Sequence, residues 1–123
     1  AEDGSFRVSG RADDVLNIGG RKINALTLDD IIQAAPGISD GYCFVDPNAT
    51  GVNEVNVMAS FEHGVSVEEA AGALLEKVTA NTPKWLRSKA VYAVPVAPRT
   101  DTGKPIRHEA AEMASDLNPV ATR

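Results

Sequence analysis

The stretch from Ser66 to Val78 constrains the fold of this chain more than any other part of the sequence. Ser66 and Glu69 have the spacing of a capping box, in which each side chain bonds a free backbone N–H at a helix start. Apolar residues then recur at helical intervals, at Val67, Ala70, Ala71, Leu74, Leu75 and Val78. Since Pro83 ends the pattern, the sequence predicts an amphipathic helix between Ser66 and the Asn81-Thr82-Pro83 stop.

Segments typical of β-strands lie on both sides of this helix. Residues 52–61 alternate between an apolar face (Val55, Val57, Ala59) and a second face (Glu54, Asn56, Met58). This alternation predicts a strand with one buried face. Residues 42–45 and 91–96 are apolar runs, and we expect each to form a strand as well.

The remaining segments complete an α+β pattern. Short strands on either side of Gly19-Gly20 predict a β-hairpin. A helix should follow, with Thr27 as N-cap and Asp29 and Asp30 in its first turn. We expect a last helix over residues 106–114 and a frayed tail over 117–123. The predicted fold is α+β: a small mixed sheet of about three strands, backed by helices on one face and preceded by the hairpin.

Composition narrows the classes of partner. The chain has 123 residues, enough for one domain, and its net charge of −5 argues against nucleic acid and anionic membranes as partners. Cys43 is the single cysteine and lies in an apolar run, so we expect a buried, unreactive thiol and a reducing, cytoplasmic setting. His63 and His108 are far apart, which predicts no metal site. Without an initiator methionine, the start at Ala1 suggests a cut within a longer protein.

A loop near the end of the chain is the candidate functional segment. Pro98, Asp101 and Gly103 are turn residues, and Lys104 follows them. A lysine on a loop made flexible by glycine can reach an anionic ligand as a point charge. The loop is not a phosphate-binding P-loop, because that motif has glycine where Pro98 stands and serine or threonine where Pro105 stands. The alternative is a solvated surface lysine.

Two segments together resemble a known superfamily. Residues 10–23, GRADDVLNIGGRKI, resemble the hinge-and-hairpin motif that opens the C-terminal domain of adenylate-forming (AMP-binding) enzymes. These are acyl-CoA synthetases, nonribosomal-peptide adenylation domains and luciferases. Residues 98–107, PRTDTGKPIR, resemble their catalytic-lysine loop, and the resemblance spans about residues 3–114. It implies the end of an N-terminal domain and a hinge linker over 1–10, and a C-terminal lid domain over 11–116.

The resemblance implies a two-step reaction. Such enzymes use ATP and Mg²⁺ to join a small-molecule carboxylate to AMP, and then pass the acyl group to a thiol. The N-terminal adenylation domain of the same chain would hold ATP, the metal ion and the carboxylate, while this domain closes over them in two orientations. Lys104 matches the catalytic lysine of the first step, and Asp13 matches the hinge about which the domain turns. The fragment by itself should therefore be inactive.

Further site residues follow from the same resemblance. Arg11 and Lys22 would lie near the nucleotide or its phosphates, and Gly19 and Gly20 would line the pantetheine tunnel. Thr102 and Gly103 would support the lysine loop. Many CoA-forming relatives have arginine or asparagine where Lys22 stands. The acceptor we expect is CoA, and the alternative acceptor is the phosphopantetheine arm of a carrier protein.

Three alternatives remain from the sequence. The chain could belong to an adenylation domain that loads a carrier protein. It could be a free-standing interaction domain without activity of its own. It could also be an unrelated α+β binding domain in which both motifs are coincidental turns.

Overall fold

A computed structural model describes residues 15–18, 21–46 and 53–122 of the chain. Within these ranges the elements are β1 Val15–Ile18, β2 Arg21–Asn24, α1 Ala25–Ala34, β3 Ile38–Phe44, β4 Glu54–Phe61, α2 Val67–Ala80, β5 Arg87–Ala93, α3 Arg107–Ala114 and β6 Ala121–Thr122. None of the three helices in the described ranges is long and apolar enough to cross a membrane.

The main sheet has the strand order β3-β4-β5-β6. β3 and β4 pair antiparallel, β4 and β5 pair parallel across the α2 connection, and β5 and β6 pair antiparallel. Strands β1 and β2 form a separate antiparallel hairpin, with Ile18 opposite Arg21. This mixed sheet, with its helices and hairpin, confirms the predicted α+β class.

The end of the chain differs from the prediction of a frayed tail over 117–123. Ala121 pairs with Val91, and the Val120 amide donates to the Val91 carbonyl at 2.8 Å. Val120 and Ala121 also pack against buried apolar residues. The free edge of β5 offers unpaired backbone groups, so a short apolar segment brought beside it gains both hydrogen bonds and burial. The sheet therefore has a fourth strand.

Helices cover both faces of the sheet, and the prediction of helices on one face was wrong. One core, which includes Ile32, Cys43, Val57 and Leu74, lies where α1 and α2 pack on the sheet. A second core lies under α3 and includes Tyr42, Phe44, Met58, Ala110 and Ala114. Because α3 covers the second face, β4 is buried on both sides instead of one, although its sequence alternates.

The first residues of α1 and α2 are set by N-capping side chains. Ser66 caps α2, and its Oγ accepts a hydrogen bond from the Glu69 amide at 3.4 Å, which confirms the predicted start. Helix α1 begins earlier than predicted. Asn24 is its N-cap, with Oδ1 accepting from the Leu26 amide at 3.0 Å, and Thr27 lies inside the helix. Asp29 and Asp30 therefore lie beyond the first turn, contrary to the prediction, and Asp29 is buried.

Candidate functional site

The lysine loop is a closed turn. The Gly103 amide donates to the Thr100 carbonyl at 2.9 Å, and Gly103 has φ of +89°, a backbone conformation that glycine adopts readily. The Lys104 amide donates to Thr100 Oγ1 at 3.0 Å, and the Thr100 amide donates to the Lys104 carbonyl at 2.8 Å. The hydroxyls of Thr100 and Thr102 hydrogen-bond each other at 3.0 Å. The backbone of Lys104 is therefore held in place from both sides.

Arg99 connects this turn to the sheet. Its Nε and one terminal nitrogen donate to the two carboxylate oxygens of Asp40 on β3, at 2.8 and 2.7 Å. The other terminal nitrogen donates to the Gly103 carbonyl at 2.6 Å. Arg99 also pairs with Pro105 in an isolated antiparallel β-bridge. One guanidinium thus links β3 to the peptide group that precedes Lys104.

Arg107 makes the matching connection on the far side of the loop. It donates to both carboxylate oxygens of Asp29 in α1, at 2.9 and 3.3 Å, and to the Cys43 carbonyl at 2.7 Å. Asp29 also accepts from the Cys43 amide at 2.9 Å. Both side chains are well buried, with 11% of Arg107 and 5% of Asp29 exposed. Since Arg107 is the first residue of α3, this pair joins α1, β3 and α3.

Tyr42 contacts both arginines. The guanidinium carbons of Arg99 and Arg107 are 5.3 and 5.6 Å from the centre of its ring, within the range of cation–π contacts. Its hydroxyl donates to the Pro98 carbonyl at 2.6 Å. Together these five residues, Arg99, Arg107, Tyr42, Asp29 and Asp40, form what we call the arginine–tyrosine cluster.

Electrostatics in and beside the cluster follow from pairing and burial. The hydrogen bonds from Arg99 hold the pKa of the Asp40 carboxyl below its ordinary value, against the opposing effect of partial burial. Burial raises the pKa of the Tyr42 hydroxyl to about 12. Burial also raises the pKa of the Cys43 thiol well above its usual range. Tyr42 therefore stays neutral and a proton donor at physiological pH, while Asp40 stays charged.

A cleft of about 280 Å³ lies along the lysine loop and the start of α3. Its lining residues are Thr100, Lys104, Pro105, Ile106, Arg107 and His108. Lys104 brings positive charge to it, in a chain whose net charge is −5, while the charge of Arg107 is paired with Asp29. Such a cleft suits an anionic group, and the cation can stabilise negative charge once water is excluded by a second surface.

The structure brings together some of the predicted site residues. Lys104, Thr102 and Gly103 lie in one loop, as the sequence indicated. Lys22 lies on β2, is exposed and does not line the cleft. The predicted roles of Arg11, Asp13, Gly19 and Gly20 concern positions outside the described residues.

Sequence reasoning missed the arginine–tyrosine cluster. Its ion pairs join residues 59 and 78 positions apart, and no local pattern links such distant positions. One signal was available for Asp29, because it lies next to Leu28 on the face of α1 that also carries Ile32 and is buried. An aspartate at such a position needs a partner.

No metal centre is found in the part of the chain that the structure describes, where no three residues of ligating type come together. His63 and His108 are both exposed.

Comparison with known proteins gives relatives of one kind. The acetyl-coenzyme A synthetase of Alcanivorax borkumensis is 30% identical over 120 residues, covering 94% of this chain and 18% of that protein. The acetyl-coenzyme A synthetase of Deinococcus radiodurans is 26% identical over 113 residues, covering 92% of this chain and 17% of that protein. The chain thus spans less than a fifth of the length of these relatives. No protein-family model matches the chain.

Solved structures share the fold. Apo MatB from Rhodopseudomonas palustris superposes with a TM-score of 0.70 at 23% identity, over 87% of this chain and 21% of that one. ATP-bound MatB from the same organism gives 0.64 at 21% identity, over the same shares. These structures show the same fold, and the relatives in sequence confirm the resemblance to the C-terminal domain of the adenylate-forming superfamily that was inferred from the two motifs. Within that superfamily, the relatives in sequence include acetyl-CoA synthetases and other CoA ligases.

Proposed function

We propose that the chain is the mobile lid domain of an ATP-dependent, carboxylate-activating ligase, and that it supplies the catalytic lysine, Lys104. The observation that carries the proposal is the position of Lys104, on a turn held from both sides and bordering a cleft that suits an anion. The similarity to acetyl-CoA synthetases supports the reaction class. An N-terminal adenylation domain is the proposed partner, and it would bind ATP, Mg²⁺ and the carboxylate.

The chemistry asked of Lys104 is electrostatic. Adenylation develops negative charge on the carboxylate and on the phosphoryl group that it attacks. A cation brought in by a closing lid stabilises this charge more strongly than water would, because it is already oriented when the reaction occurs. Proton transfer is not required of it. In the second step the lid would turn about Asp13, so that the hairpin of β1 and β2 replaces the lysine loop at the active site. We propose CoA as the acceptor and the cytoplasm as the location.

The experiment that tests the proposal separates the two half-reactions in the full-length enzyme. Lys104→Ala should slow acyl-adenylate formation about 100- to 1,000-fold, the usual cost of removing one such donor. Acyl transfer from supplied acyl-adenylate to the thiol should stay near the wild-type rate, since Lys104 has then left the active site. The melting temperature should not change, because replacing a loop side chain costs within about 0.5 kcal/mol.

Lys84→Ala is the matched control, because Lys84 is exposed and lies outside the lysine loop. It should leave both half-reactions unchanged. Normal acyl-adenylate formation by Lys104→Ala would refute the catalytic role. An equal loss in both half-reactions would mean that Lys104 stays at the active site throughout, and the two-orientation proposal would then fail. Running the transfer assay with CoA and with a phosphopantetheinylated carrier protein identifies the acceptor.

A further inference from the structure

The position of Lys104 depends on a residue that has no assigned role. Arg99 donates to the carbonyl of Gly103 at 2.6 Å, and that carbonyl belongs to the peptide group joining Gly103 to Lys104. A charged side chain therefore contacts the peptide group immediately before the lysine. Movement of Arg99 would therefore shift the backbone from which the lysine side chain extends.

Arg99 is itself fixed by the sheet. Both carboxylate oxygens of Asp40 accept from it in a bidentate arrangement, which fixes the orientation of the guanidinium plane as well as its position. The fully buried Tyr42 lies beneath it, with the ring centre 5.3 Å from the guanidinium carbon. Asp40 and Tyr42 both belong to β3, which pairs with β4 in the main sheet. Arg99 thus holds the lysine loop at a defined position relative to β3.

We propose that Arg99 is the positioning residue of Lys104, and that it sets the rate of adenylation by fixing the lysine loop to β3. This inference rests on the proposed function of Lys104. Arg99 is not a catalytic residue in this scheme, because all its contacts described above are with the protein. Its effect follows from geometry, since a displacement of about 1 Å at a reacting group can cost on the order of 100-fold in rate.

The chemistry of the contact requires arginine. The guanidinium presents five N–H donors in a rigid plane. Its three nitrogens donate at the same time to the Asp40 carboxylate and the Gly103 carbonyl. A lysine ammonium is a point charge and cannot keep this planar, two-sided geometry. Arg99→Lys therefore separates a positioning role from a role of charge alone, because it keeps the charge and loses the geometry.

The test measures both half-reactions in the full-length enzyme for Arg99→Ala and Arg99→Lys. Arg99→Ala should slow acyl-adenylate formation about 10- to 100-fold and leave transfer from supplied acyl-adenylate unchanged. Arg99→Lys should be nearly as slow as Arg99→Ala. The matched control is Arg87→Ala, which removes another arginine paired with a carboxylate, that of Glu54 at 3.6 Å, but on β5. It should leave both half-reactions at the wild-type rate.

The decisive measurement is a double-mutant cycle with Lys104. If Arg99 acts only through the lysine, Arg99→Ala should cause no further loss of adenylation when Lys104 is already alanine. Multiplied losses in the double variant would overturn the proposal, and so would full activity of Arg99→Lys. An equal fall of both half-reactions in Arg99→Ala would also overturn it, since that pattern indicates general damage to the domain.

Failure of this inference is distinguishable from failure of the proposed function. If Lys104→Ala adenylates normally, the proposed function is wrong. If Lys104→Ala is slow but Arg99→Ala is not, Lys104 keeps its role and Arg99 does not position it.

Discussion

Residues with reactive side chains differ sharply in their solvent accessibility in this domain. Lys104 borders a cleft, whereas Cys43, on the neighbouring strand β3, is fully buried. The Cys43 thiol lies 3.8 Å from the Ala25 carbonyl, and burial raises its pKa. A thiol in such surroundings is a packing group, because only the thiolate is a good nucleophile.

We predict that Cys43 reacts only slowly with dithionitrobenzoate at pH 8 in the folded chain. The reaction should be slower by about 100-fold or more than in urea, because it must wait for the core strand to open. Absorbance at 412 nm measures the rate. The control is Cys43→Ser combined with Ala73→Cys, which moves the single thiol to an exposed position on α2 and should react rapidly. Rapid, stoichiometric reaction of folded wild type would contradict the prediction.

At the scale of elements, the Asp29–Arg107 pair is a polar connection between α1 and α3. The two helices pack on opposite faces of the sheet, and the pair meets at Cys43, whose backbone amide donates to Asp29 and whose carbonyl accepts from Arg107. A buried ion pair adds little stability relative to an apolar substitute, but breaking it leaves a buried charge without its partner. The pair therefore favours one position of α3 over others.

We predict that Asp29→Ala destabilises the chain by about 3–5 kcal/mol, because it leaves the Arg107 guanidinium buried without its carboxylate. Urea denaturation followed by circular dichroism measures the change. Asp30→Ala, in the same helix but exposed, is the control and should stay within about 0.5 kcal/mol of wild type.

The double variant Asp29→Ala, Arg107→Met provides the second half of that experiment. It removes both charges and should recover part of the lost stability. A loss below about 1 kcal/mol for Asp29→Ala alone would show that α3 does not depend on this pair.

At the scale of the whole molecule, the proposed function requires the domain to move as a unit. The arginine–tyrosine cluster suits this, because it fixes the lysine loop to the sheet and so lets the loop travel with the domain. The turning point would then lie before β1, where the resemblance places the hinge at Asp13. Rotations of this kind are absorbed by a few backbone dihedrals at the ends of elements.

We predict that Asp13→Pro in the full-length enzyme keeps adenylation and loses most acyl transfer. Proline restricts φ to one narrow range, so the backbone cannot change between the two orientations. Rates of both half-reactions measure the effect, and a melting curve shows whether the domain is still folded. An equal loss in both steps with an unchanged melting temperature would place the hinge elsewhere.

The sequence by itself determined the features that depend on neighbouring residues. The N-cap at Ser66 starts α2, and the strands around Gly19-Gly20 pair as a hairpin, because each involves contacts within a few positions. The lysine loop was also visible, since turn residues act locally. The superfamily followed from two motifs read together, although neither showed how the loop is held.

The tertiary structure alone decided which surfaces meet. The alternation of β4 predicted one buried face, but α3 returns across the other face and buries it too. The pairing of Ala121 with Val91 and the ion pairs of Arg99 and Arg107 join distant parts of the chain. Local propensity carries no information on such contacts, because they form only when the packed sheet brings the partners together. The position of Lys104 therefore depends on residues that no local pattern connects to it.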